Sequence, residues 1–224
     1  MSQAVVVFAK APEPGRVKTR LQPDLTAADA AAVYEACLVD VVQMLRRLGV
    51  DLHIDYVDSL GAREYFAESF PDLPLSRQSA GDLGTRMAAT CDRLFGQGFG
   101  SVLVIGSDIP TLPPEHVEDA LALVRRCGVV FGPTSDGGYY LVAIDRSAWP
   151  SARALFEDVP WSTPEVLDRS IAQARSVGLA ARLVEPWYDL DGIGDLRRAA
   201  GDAAPGSRLA LWVRDRGIGP SAEE

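Results

Sequence analysis

The sequence predicts an α/β fold, a Rossmann-like three-layer sandwich with a mostly parallel mixed sheet, and three observations predict it. Short apolar runs bounded by turn residues recur along the chain, with periodic helical segments between most of them; this alternation builds a sheet covered by helices on both faces. Val102-Leu103-Val104-Ile105 is apolar at every position, which marks a central strand buried on both sides. The first run, residues 4–9, breaks directly into a Pro- and Gly-shaped cationic stretch, the usual form of a strand that ends in a ligand-binding loop.

Strands are expected at 4–9, 52–57, 102–106, 129–132, 139–144 and 181–185. The first helix spans 26–48, with apolar residues at Ala30, Val33, Cys37, Val41, Met44, Leu45 and Leu48 in helical spacing, Thr26 as N-cap and Gly49 as the stop. A second helix runs from 83 to 95, and a third from 114 to 127, started by Pro113-Pro114 and ended by Gly128. The strands at 129–132 and 139–144 are too close for a helical crossover, so they pair as a hairpin or the second turns away antiparallel; either makes the sheet mixed. A fourth helix is expected from Ser162-Thr163-Pro164-Glu165 to 177, then short helical pieces over 192–217 and a frayed tail at about 220–224. No internal repeat or linker interrupts the pattern.

The 224 residues suit one domain over 1–224. Hydrophobic residues at 47% and charged residues at 24% are ordinary for a soluble globular chain. No apolar run approaches the ~20 residues that span a bilayer, and the first strand lacks the flanks of a signal peptide, so no membrane partner is expected. A net charge of −9 argues against nucleic acid as a partner. Positive charge is local instead, at Lys10, Arg16, Lys18 and Arg20. Cys37, Cys91 and Cys127 are widely spaced and odd in number; they read as free thiols of a reducing, cytoplasmic environment.

The basic loop suits phosphate, because Pro12, Pro14 and Gly15 stiffen it and a buried strand anchors it; the alternative is a solvated charge run. Gly106-Ser107-Asp108-Ile109-Pro110 follows the central strand and places Asp108 just outside a strand's carboxyl end, where open α/β sheets bind ligands. Asp189-Leu190-Asp191 follows the late strand, and in an extended segment both acids face the same way. Two distant carboxylate sites and one cationic loop suggest Mg²⁺ or Mn²⁺, which takes one or two carboxylates and completes its shell with phosphate and water. Against this, Asp108 is also suited to a turn, and Asp191 to capping a helix that starts near Gly194; Asp195 reads as a first-turn acid. Asp136-Gly137-Gly138 allows close backbone approach to a ligand or is a plain tight turn, and Gly81-Asp82-Leu83-Gly84 holds an anion at a helix start or only caps it. There is no Walker motif, no dinucleotide signature at Gly96-Gln97-Gly98, and no serine-hydrolase pattern; His53 and His116 read as structural.

Five ordered motifs carry a resemblance: the stretch from Phe8-Ala9-Lys10 through Gly15-Arg16-Val17-Lys18-Thr19-Arg20-Leu21, Gly81-Asp82-Leu83-Gly84, Gly106-Ser107-Asp108-Ile109-Pro110, Gly132 to Leu141, and Pro160-Trp161-Ser162-Thr163-Pro164-Glu165. From Val5 to about Leu196 the chain resembles the bacterial transferases described as arsenosugar-biosynthesis-type glycosyltransferases or selenodomain-associated transferases. That family is similar in fold to nucleotide-diphospho-sugar transferases of the GT-A type, and more distantly to the guanylyltransferases of molybdenum-cofactor and phospholactate metabolism. The resemblance implies a nucleotide or nucleotide-sugar donor and a small-molecule acceptor. It puts Arg16, Lys18 and Arg20 on the phosphates and Asp108 and Asp191 on the metal. With the readings of the residues themselves, the expected site adds Ala9, Lys10, Gly15, Thr19, Asp82 and Gly84 on the nucleotide, Asp189 on the metal, and Asp136, Gly137, Gly138 and Trp161 on the acceptor or sugar, with Asp108, Lys18 and Asp136 in the catalytic role. Relatives carry Asp-x-Asp-Thr-Pro-Glu-Asp-Leu at the late site, where this chain has Asp189-Leu-Asp191-Gly-Ile-Gly-Asp195-Leu. The expected activity is glycosyl transfer; nucleotidyl transfer with release of pyrophosphate, and a non-catalytic nucleotide-binding module, are the alternatives.

Overall fold

A computed structural model describes residues 2–220. In chain order the elements are β1 (Gln3–Ala9), α1 (Ala27–Arg47), β2 (Asp51–Tyr56), α2 (Ala62–Ser69), β3 (Leu75–Arg77), α3 (Leu83–Gly96), β4 (Ser101–Gly106), α4 (Pro114–Cys127), β5 (Val129–Pro133), β6 (Tyr139–Asp145), α5 (Val166–Ser176), β7 (Ala181–Leu183), α6 (Ile193–Asp202) and α7 (Arg208–Asp215). The strands form one seven-stranded sheet in the order β3-β2-β1-β4-β6-β5-β7. All pair in parallel except β6, which runs antiparallel to both β4 and β5. The sheet is therefore mixed and mostly parallel, as the pattern predicts, and β5 and β6 form the hairpin.

Alternation along β1 and β4 explains the layers. Val5, Val7, Leu103 and Ile105 pack with α1, α2 and α4 on one face. Ala4, Val6, Val102 and Val104 pack with α3, α5 and the short helical turns at Ser151–Phe156 on the other. Both faces are dry, which is why these strands lack polar alternation. The last two helices make a further cluster on the outer side of α1, with Leu196, Ala199, Leu209 and Val213 against Val33 and Cys37. Asp40 of α1, itself buried, accepts hydrogen bonds from the Arg208 and Leu209 backbone N–H groups and so anchors the start of α7. At the other edge, Asp55 is buried on β2 and is held by Arg93 and Thr90 of α3.

Two expectations are corrected and two elements are added. The fourth helix begins at Val166, not Ser162, because Ser162 takes a left-handed φ of 66° and Thr163 turns its hydroxyl back onto the Pro160 carbonyl. The late strand ends at Leu183, and the chain continues alongside β5 by single bonds from Val184 to Phe131 and from Trp187 to Pro133. α2 and the edge strand β3 were not expected at all. Of the tail expected at about 220–224, all but Pro220 lies outside the described residues.

Candidate active site

The parallel strands all end on one rim. Since β6 is antiparallel, its start and the turn before it reach that rim as well, so the loops after β1, β3, β4 and β5 and the segment after β7 come together there. This is where an open α/β sheet places its ligand.

Lys18 is the centre of the arrangement. Its backbone is left-handed, with φ 46°, a strained conformation for a residue with a Cβ. The strain turns its side chain inward, where it is 3% exposed, with Nζ 3.0 Å from Asp108 Oδ2 and 3.6 Å from Asp191 Oδ1. The ammonium also donates to the Leu190 carbonyl. Burial disfavours the charged form, but Asp108 foremost, and Asp191 with it, outweigh that cost and hold the pKa above the usual lysine value. Leu190 N–H in turn donates to the Asp108 carbonyl at 2.8 Å, and Arg20 meets Asp191 Oδ2 at 2.6 Å. The basic loop and both acidic motifs thus converge on one point.

Asp108 Oδ1 is buried and has no hydrogen-bond partner among the described residues. An orphaned carboxylate oxygen beside a second carboxylate is a cation-binding feature. Among the described residues no three His, Cys, Asp or Glu side chains cluster tightly enough to enclose an ion alone. The donor set fits Mg²⁺ or Mn²⁺ held by Asp108 and Asp191 with the rest of the shell from phosphate and water. Asp191 is not a cap: Asp195 does that work, accepting from the Asp191 and Gly192 N–H groups, as expected of a first-turn acid.

Two cavities open over Asp108. The first, about 600 Å³, is lined by Ala9, Lys10, Arg16, Lys18, Thr19, Arg20, Arg86, Asp108 and Asp191 among others. The second, about 490 Å³, is lined by Asp136, Gly138, Asp189, Tyr139, Tyr140 and the segment from Trp161 to Pro164, with Arg20 and Asp108 on the shared wall. Asp189 therefore lines the second cavity and not the first, and makes no ion pair among the described residues; burial, with Asp191 nearby, pushes its carboxyl up to about 6.

Four residues expected at the site are placed otherwise. Gly15 makes a left-handed turn and does not line either cavity. Asp82 caps α3 through Thr85 N–H, and Gly84 lies under Trp161, where a Cβ would sit 2.4 Å from the Phe156 carbonyl oxygen and 2.7 Å from the indole. Gly137 (φ 88°) is pressed against Pro164, whose carbonyl oxygen a Cβ would meet at 2.0 Å. Asp136 accepts from Thr134 Oγ1 and Gly138 N–H, so the tight-turn reading holds, yet its residue still faces the second cavity. His53 packs edge-on to Phe99 and His116 bonds Tyr140, both structural.

Sequence reasoning missed Arg86 and Tyr34. Arg86 lines the first cavity with its Nε bound to the Gly81 carbonyl; its signal was its place in the first turn of the helix that follows Gly81-Asp82-Leu83-Gly84. Tyr34 links the Lys10 N–H at 2.8 Å to Ser107 Oγ at 2.9 Å, tying the β1 and β4 loops together; it sits on the inward stripe of α1, where nothing distinguishes it from core.

A family model described as "Uncharacterized protein conserved in bacteria (DUF2064)" matches residues 39–163. A 2-phospho-L-lactate guanylyltransferase from Methanothermobacter thermautotrophicus is 28% identical over 175 residues, covering 76% of this chain and 71% of the relative. A crystal structure of a proposed nucleotide-diphospho-sugar transferase from Desulfovibrio desulfuricans G20 is 31% identical, with a TM-score of 0.90 over 97% of this chain and 96% of the other. The manganese complex of Rv0371c from Mycobacterium tuberculosis H37Rv, 17% identical with a TM-score of 0.51 over 85% and 92% of the two chains, shares the fold.

Proposed function

We propose, from the fact that this chain belongs to the DUF2064 family and is a transferase of the nucleotide-diphospho-sugar transferase fold, that it transfers the sugar of a nucleotide-activated donor to a small acceptor with the help of a divalent metal. The observation that carries this reading is the meeting of Lys18, Arg20, Asp108 and Asp191 between a cationic cavity and a second, acidic one. Lys10, Arg16, Arg20 and Arg86 surround the space for the donor's diphosphate and neutralise the charge that grows on it as the sugar bond breaks. Asp108 and Asp191 would hold Mg²⁺ or Mn²⁺, which supplies Lewis-acid stabilisation of that leaving group. Lys18 fixes the two carboxylates relative to each other. The acceptor enters from the Asp136 and Asp189 side, where a carboxylate is at hand to take its hydroxyl proton.

The 28% identical guanylyltransferase favours a second reading, nucleotidyl transfer from a nucleoside triphosphate with release of pyrophosphate. Thermal shift with nucleotide sugars and nucleoside triphosphates, with and without Mn²⁺, tests both, because a ligand of the folded state raises its melting temperature. Phosphorus NMR of the products then separates nucleoside diphosphate from pyrophosphate. No shift with any nucleotide would refute both.

A further inference from the structure

The two cavities differ in charge. Lys10, Arg16, Lys18, Arg20 and Arg86 face Asp108 and Asp191 across the first, so cations outnumber carboxylates five to two. In the second the balance inverts: apart from Asp108, which Lys18 already neutralises at 3.0 Å, Asp136 and Asp189 stand against Arg20 alone. Even Arg20 is committed, its guanidinium bound to Asp191 at 2.6 Å. The remaining polar lining is hydroxylic, from Thr134, Ser162 and Thr163, and the walls are aromatic, from Tyr139, Tyr140 and Trp161. Tyr139 and Trp161 meet edge to face, with ring centroids 6.4 Å apart.

We infer that the second cavity takes a neutral or cationic, hydroxyl-bearing acceptor and rejects a phosphorylated or carboxylated one. The inference rests on the donor reading above and deepens it. A like charge placed ~6 Å from a carboxylate loses about threefold in affinity per carboxylate even at the dielectric of bulk water, and more in a cleft. A hydroxyl or ammonium group meets the same carboxylates as a hydrogen-bond donor, and the aromatic walls suit the apolar face of a polyol. On this inference the acceptor differs in charge from the phosphorylated acid that the name of the guanylyltransferase relative carries.

The test is saturation-transfer NMR on protein loaded with Mg²⁺ and UDP or GDP, using the matched pairs glycerol and glycerol 3-phosphate, and glucosamine and glucosamine 6-phosphate. Loading is measured first by thermal shift. If neither nucleotide raises the melting temperature, the donor reading falls and this inference with it. With loading established, the unphosphorylated member of each pair should give the signal, and Asp136→Asn with Asp189→Asn should raise binding of the phosphorylated member on the order of tenfold. Asp189→Asn alone serves if the double variant does not fold. Preference of the parent protein for the phosphorylated members, binding of neither member, or unchanged discrimination in the variant overturns the inference and leaves the donor reading standing.

Discussion

Replacing Lys18 with methionine removes the ammonium while keeping most of the side chain's volume, and so isolates its charge. Removing one partner of a fully buried ion pair costs about 3–5 kcal/mol. Asp108 and Asp191 are 39% and 37% exposed at their side chains, however, so water takes over part of their solvation and the loss falls to about 2 kcal/mol. For a chain of this size that is a drop of about 4–8 °C in melting temperature. The variant also leaves two carboxylates facing each other with no cation between them. Mn²⁺ should therefore stabilise Lys18→Met more than the parent; at a hundred times its Kd an ion contributes about 2.7 kcal/mol and restores the loss. Differential scanning fluorimetry against Mn²⁺ concentration reads both effects. A melting temperature within about 1 °C of the parent, or a drop that Mn²⁺ does not rescue beyond its effect on the parent, would refute the view that Asp108 and Asp191 face one cation position.

Asp108→Asn should abolish metal-dependent turnover, seen as a loss of at least about a hundredfold in kcat, while a thermal melt shows a folded protein, since Asp191 and the Leu190 carbonyl still hold the Lys18 ammonium. Gly84→Ala should lower stability and displace Trp161, because the new Cβ would meet the fixed Phe156 carbonyl at 2.4 Å; an unchanged melt together with unchanged tryptophan fluorescence would contradict that. His53 is buried and lies near Arg93, with Asp55 and Asp51 partly compensating, so burial foremost holds its pKa below 6.5. The unfolded chain then binds the proton more readily, stability is full above pH ~6.5, and it declines as pH falls toward the folded pKa. Asp189, pushed up to about 6, contributes the opposite slope in the same window, so the check is the difference between parent and His53→Gln in urea titrations from pH 5 to 7, which should show the His53 slope.

The long elements were legible because their signals are redundant. In α1 the apolar stripe, the Thr26 cap that bonds Asp29 N–H and the stop at Gly49 all agree. α2 escaped notice because it is eight residues long and starts at a left-handed Gly61 with no side-chain cap. β3 has three residues, none buried, at the edge of the sheet, so it has no periodicity to read. At the site, residue types and loop positions identified Lys18, Asp108 and Asp191. What the sequence does not carry is which partner each takes. The inward turn of Lys18 depends on its left-handed backbone and on a carbonyl, that of Leu190, brought from 172 residues away; neither is a property of local composition.

The two halves of the cleft also differ in how the fold makes them. The half proposed for the donor is built from the ends of β1 and β4 and is cross-tied by Tyr34 through the Lys10 backbone and Ser107, so its shape follows from parallel-strand geometry that any chain of this architecture shares. The half proposed for the acceptor is built from the turn between β5 and β6 and from the segment before α5, where Asp158 and Ser162 both take left-handed φ values and Gly137 is locked against Pro164. Irregular backbone of this kind is set by a few local residues, and loops of this type vary more than the elements they join. On the proposed reading, likeness of fold bears on the donor, whereas carboxylates carried by the loops, Asp136 in the turn and Asp189 across from it, bear on the acceptor. For that reason exchanging those two carboxylates, and not altering the basic loop, is the change expected to alter which acceptor binds while leaving nucleotide binding intact, and loss of nucleotide binding in Asp189→Asn would show that the two halves are not separable.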